Sequence, residues 1–167
     1  MKHGVAEEQR VQNVKVVRTY EHKTEDVAIL KVSEQLKPVP GLAFLQPRMV
    51  QKVYRFGYSH IPCIKGPQDG NLKVQTGEVT NISVKSYLDQ EMFLYSVVSR
   101  PGDSGGPLVS EEGYVVGITT SLTEGKYGHE TDREIFQPHY TGIPSHVIKQ
   151  AVDELEAGVC LPYETFE

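Results

Sequence analysis

Short apolar runs separated by turn-forming residues recur along the chain, and helical periodicity is confined to its last part. Residues 11–19 (VQNVKVVRT) place Val14 and Val16 in phase, with Val11 and Val17 out of phase, as in a partly two-sided strand. A polar turn over 20–25 leads into a second apolar run at 27–32 (VAILKV). Residues 33–47 hold three prolines and Gly41, the composition of a linker, at the long end for a compact domain. Six strand candidates follow, at 51–58, 72–82, 92–98, 107–110, 114–120 and 134–142, mostly divided by turns rich in Gly, Pro, Asp and Asn. The spacing predicts a barrel or sandwich, because no helices intervene to cover a parallel sheet. One helix is expected over 144–158, with Val147, Ile148, Ala151, Val152 and Leu155 on one face, His146 solvated in its first turn and Gly158 as the C-cap. Residues 159–167 read as a short acidic tail.

The composition narrows the function classes. The chain has 167 residues, 38% apolar and 23% charged, enough to bury a core without staples and too balanced for disorder. A net charge of −5, with no basic block interleaved with aromatics, argues against a nucleic-acid partner. No apolar run reaches the roughly 20 residues of a membrane span, and the polar start lacks a secretory signal, so no membrane association and a cytoplasmic location are expected. Cys63 and Cys160 show no paired motif and are read as free thiols. The six histidines show no metal-ligand spacing, so neither a metal nor another cofactor is expected.

One segment carries chemistry. Residues 100–109, RPGDSGGPLV, set Ser104 in a glycine-rich tight turn directly before an apolar strand. A nucleophilic serine needs its hydroxyl proud of the backbone and N–H groups free to meet an oxyanion, and small neighbours give both. The segment resembles the active-site turn of trypsin/chymotrypsin-like serine proteases, in particular their short bacterial and HtrA-like members. Chain order in that family is His, Asp, Ser. The resemblance assigns the acid to Asp26, in Asp26-Val27-Ala28-Ile29-Leu30, and the base to His3, in Lys2-His3-Gly4-Val5. His22, four residues before Asp26, reads instead as a solvated loop residue.

The family fold implied is all-β, a two-lobed antiparallel β-barrel with a C-terminal helix. Its lobes would divide here into a remainder of the first barrel at 1–35, a linker at 36–50 and a second barrel at 51–143. Family members carry several strands before the catalytic histidine, so the resemblance also implies a first barrel incomplete at its N-terminal side. The N–H groups of Gly102 and Ser104 would form the oxyanion hole. Residues 117–121 would pair with an extended polypeptide substrate through a free strand edge, and Thr120 and Ser121 would contact it. Val98 would floor the specificity pocket, with Ser99 and Thr119 along its walls. No acid stands at the floor, so a small or medium apolar side chain is expected there, although His139 could favour an acidic one. Asp103 would be buried and need a cationic partner, an arginine or a chain terminus.

The function so implied is a serine endopeptidase working through an acyl-enzyme. A competing reading is a catalytically impaired protease-fold module that only binds extended peptides, for which an intact GDSGGP turn would be superfluous. An α/β-hydrolase is disfavoured, since its order places the acid after the serine. Oligomeric state is left open.

Overall fold

The computed structural model describes residues 15–33, 41–59, 72–86, 88–120 and 140–165. Among these described residues, ten strands and one helix run in the order β1 (Val16–Glu21), β2 (Ala28–Val32), β3 (Phe44–Leu45), β4 (Lys52–Gly57), β5 (Lys73–Lys85), β6 (Glu91–Tyr95), β7 (Pro107–Ser110), β8 (Val115–Thr120), β9 (Tyr140–Pro144), α1 (Ser145–Glu154) and β10 (Tyr163–Glu164). Strands β4 to β9 form a closed antiparallel barrel in the order β7-β4-β5-β6-β9-β8, with β8 pairing back to β7. Closure gives each of the six strands a partner on both sides over part of its length, which limits the exposed edges that are the usual hazard of an all-β domain. Strands β1 and β2 form a separate two-stranded antiparallel sheet.

Alternation along the strands divides the apolar residues between two cores. Val53, Val79, Phe93, Tyr95, Val97, Leu108 and Val116 fill the barrel. Val27, Met92, Ile143, Val147, Ile148, Ala151 and Val152 form a second cluster between the barrel wall and α1. Adjacent residues therefore serve different cores: Met92 faces the helix while Phe93 faces inward. Burying each Val or Ile of α1 contributes about 1.5–3 kcal/mol, more than the short helix could gain from propensity alone. Val27, at the foot of β2, is the buried apolar side chain by which the β1–β2 hairpin enters this cluster.

Several expectations need correction. The linker contains β3 and the acidic tail contains β10; these pair with each other in parallel, and β3 continues onto β8 at Phe44 and Val115. Helix α1 ends at Glu154 rather than at Gly158. Leu155 N–H still bonds to Ala151 O, but Glu156 adopts a positive φ of 46° and stops the helix before the glycine is reached. His146 is half-buried, with Nε2 3.0 Å from Glu91 on β6, so it is not simply solvated. Cys160 is an exposed free thiol, whereas Cys63, residues 11–14 and residues 134–139 lie outside the described residues. Among the described residues no helix is long and apolar enough to cross a membrane.

Candidate active site

The turn that carries Ser104 joins the end of β6 to β7. Asp103 N–H bonds to Arg100 O and Gly106 N–H to Asp103 O, which curls the chain so that Ser104 is exposed at the apex. Gly102 and Gly105 hold φ of 96° and 80°, a region where a side chain would be strained, so glycine is required on both sides of the serine. Among the described residues the N–H groups of Gly102 and Ser104 bond to no acceptor, as an oxyanion site requires.

The turn is held from the side by β8. Gly105 N–H donates to Thr119 O, and Thr119 N–H donates to Gly106 O, both at 2.8 Å. It is held from beneath by Asp103. This carboxylate is fully buried, accepts the N–H groups of Ser59 (3.2 Å) and Arg100 (2.9 Å), and forms an ion pair with Arg55 of β4. Between an arginine and a chain terminus, the buried partner is thus the arginine. The Arg55 guanidinium also donates to Gln75 Oε1 of β5 at 2.6 Å. Gly57 belongs to the same arrangement, since a Cβ there would overlap both the Asp103 carboxylate and Arg55 Nη1.

Asp26 lies at the end of the turn between β1 and β2 and is exposed. Its Oδ2 accepts the hydroxyl of Thr120 at 2.7 Å. Consecutive residues at the end of β8 therefore hold both candidate groups, Thr119 by its backbone on the Ser104 turn and Thr120 by its side chain on Asp26. Sequence reasoning treated both threonines as substrate contacts and missed this scaffolding role.

The other expected site residues are distributed as follows. His3 and Ser121 lie outside the described residues, as does His139. Over Gly117–Thr119 both edges of β8 are occupied, by β9 on one side and by β7 and the Ser104 turn on the other, so no free edge exists there. An open edge can begin only at Thr120. Val98 is exposed and its neighbour Val97 is buried in the barrel; Ser99 is half-buried. The Thr119 hydroxyl is buried beside that of Tyr95, with Ser99 also near, yet neither the Thr119 nor the Tyr95 hydroxyl makes a well-formed hydrogen bond among the described residues. Burial is the main cause that pushes the Tyr95 phenol above its ordinary value.

His22 is not a solvated loop residue. Its side chain is only 11% exposed and bridges the Asp26 turn to Glu154 of α1 at 2.9 Å.

Residues 2–118 match the trypsin-like peptidase domain. No curated protein matches the chain. Among solved structures, the inactive form of the Rv3671c protease of M. tuberculosis H37Rv superposes with a TM-score of 0.59 at 21% identity, covering 86% of this chain and 67% of that one. The HtrA-type protease AlgW in complex with a tripeptide gives 0.58 at 20% identity, covering 81% of this chain and 42% of that one. Its complex with a decapeptide gives 0.54 at 21% identity, with 80% and 37% covered. The present chain thus spans less than half of AlgW.

Proposed function

Because this chain belongs to the family of trypsin-like peptidase domains, we propose that it is a serine endopeptidase with Ser104 as nucleophile, His3 as general base and Asp26 as the orienting acid. Ser104 Oγ attacks the scissile carbonyl while His3 takes its proton, and the N–H groups of Gly102 and Ser104 receive the oxyanion. His3 then returns the proton to the leaving amine, and water hydrolyses the acyl-enzyme by the same path in reverse. Asp26 fixes the imidazole's orientation and stabilises its cationic form. One oxyanion donor is worth about 3 kcal/mol in comparable sites, so the rigidity of the turn matters directly to rate.

The observation that carries the reading is the double anchoring of the Ser104 turn, on the buried Arg55–Asp103 pair and on Thr119, with Asp26 bonded to the next residue of β8. A polypeptide substrate is supported by the peptides bound to AlgW. Such a substrate would add as a strand from Thr120 through Ser121, with its side chain entering beside Val98, Ser99 and Thr119.

The test is intact-mass labelling with a fluorophosphonate, beside Ser104→Ala. One adduct on the parent and none on the variant is the expected result. A folded parent that takes no adduct would overturn the enzyme and leave the peptide-binding module.

A further inference from the structure

Among the described residues, the two strands flanking Asp26 reach the core only near its turn, at Val27 and Ile29. Strands β1 and β2 are mostly exposed and form a sheet separate from the barrel. Among the described residues, Asp26 is held relative to Ser104 by what its turn touches. Thr120 reaches Asp26 itself, and Gln90 Nε2 donates to Thr24 O at 2.5 Å. Val27 is buried against α1, and His22 bonds to Glu154.

His22 differs from the other contacts because it acts in two directions at once. Its Nδ1 accepts the backbone N–H of Glu25 at 3.0 Å and lies 3.4 Å from that of Thr24. A ring nitrogen that accepts a backbone N–H carries no proton, so the imidazole proton sits on Nε2 and is donated to the Glu154 carboxylate. The second Glu154 oxygen accepts from Gln150, one turn back along α1, at 2.9 Å. These bonds, Gln150 first and His22 next, hold the Glu154 carboxyl below its ordinary value and keep it a charged acceptor. The ring is thus a rigid spacer of defined tautomer between the backbone of the Asp26 turn and the C-terminal helix.

We propose that His22, oriented by Glu154 of α1, is a positioning residue for Asp26. The C-terminal helix then sets the direction of the candidate acid through this bridge. The inference rests on Asp26 being the acid of the endopeptidase proposed above. Its chemistry is direct: a carboxylate turned away from the imidazole stabilises the imidazolium less, which slows acylation and lowers the pH at which the rate falls on the acid side.

The experiment measures the second-order rate of fluorophosphonate labelling of the full chain between about pH 5 and 9, with thermal melts alongside. His22→Gln offers a donor toward Glu154 but not the ring acceptor for Glu25 N–H; His22→Asn offers the acceptor but does not reach the helix. His22→Gln is expected to label about ten- to a hundredfold more slowly, the scale of a small misplacement of a catalytic group, with its acid limb shifted down. His22→Asn and Glu154→Ala remove the same bond, so each should slow labelling by a similar, smaller factor and the double variant no further. His146→Gln, the other histidine–glutamate pair of α1, should label at the parent rate. Parent-like rates and an unmoved acid limb in folded His22→Gln would overturn the inference, as would an equal loss in His146→Gln. Should His22→Gln fail to fold, additive losses in His22→Asn and Glu154→Ala would overturn it. An unlabelled parent overturns the endopeptidase and this inference together, whereas a labelled parent with unaffected variants overturns this inference alone.

Discussion

The Arg55 guanidinium and the Asp103 carboxylate form an ion pair closed to solvent, with side chains 1% and 0% exposed, one residue before Ser104. Two charges in such a place are held by each other and by their hydrogen bonds, so the loss of one strands the other. Arg55→Leu should lower stability by about 3–5 kcal/mol, read from urea denaturation, and labelling of Ser104 should fall with it. Arg55→Lys keeps the charge but not the fork that meets Asp103 and Gln75 together, so it should fall between parent and Arg55→Leu.

Thr120→Val keeps the shape of the side chain and removes the hydroxyl that Asp26 accepts. Stability should fall by only about 1 kcal/mol, since Asp26 is exposed and water can replace the donor. Labelling should slow by about tenfold or more, because orientation of the acid is lost. A melt and a labelling rate on the same sample separate the two effects.

Tyr95 gives an alkaline dependence with a defined sign. Burial raises its pKa above the ordinary value of 10.0, so at higher pH the unfolded chain releases a proton that the folded chain keeps. The stabilisation is fully present below the unfolded value and is lost as pH rises through the folded one. Tyr95→Phe should flatten the fall in stability above about pH 10. It should cost little at neutral pH, because the hydroxyl removed has no well-formed bond among the described residues. Urea denaturation of both proteins on either side of that pH checks it.

Val50 sits in a turn at φ 59°, a left-handed conformation that a β-branched residue adopts only under strain, and the residue is 68% exposed. Val50→Gly relieves the strain and loses little packing. The gain should exceed the added freedom of the unfolded chain and raise the melting temperature by about 1–3 °C.

The legible parts of the fold were those with a repeated local signal. Strand β7 begins and ends where its apolar run does, and α1 buries Val147, Ile148, Ala151 and Val152 as their spacing requires. Strands β3 and β10 were hidden because two residues in a parallel pair cannot display a period. Arg55 was hidden for a different reason. In Lys52–Gly57 the inward positions are Val53, Arg55 and Gly57, while Tyr54 and Phe56 are only partly covered. A pattern ruled by hydrophobicity gives the arginine no reason to be inside; the reason is Asp103, nearly 50 positions later in the chain. The Ser104 turn and Asp26 stood out because their chemistry is local in sequence. The bridge from His22 to Glu154 spans 132 positions and leaves no local trace.

The β4–β7 ladder sets Arg55 opposite Leu108. Joining these strands closes a loop of more than 50 residues, a non-local step that carries much of the entropic cost of folding and is slow in all-β chains. The buried arginine reaches Asp103 only once that loop has closed. Before then the Ser104 turn lacks its inner anchor. On the endopeptidase reading proposed above, Ser104 would gain its nucleophilic power late, and a newly made chain would not attack its neighbours while its own strands were unpaired.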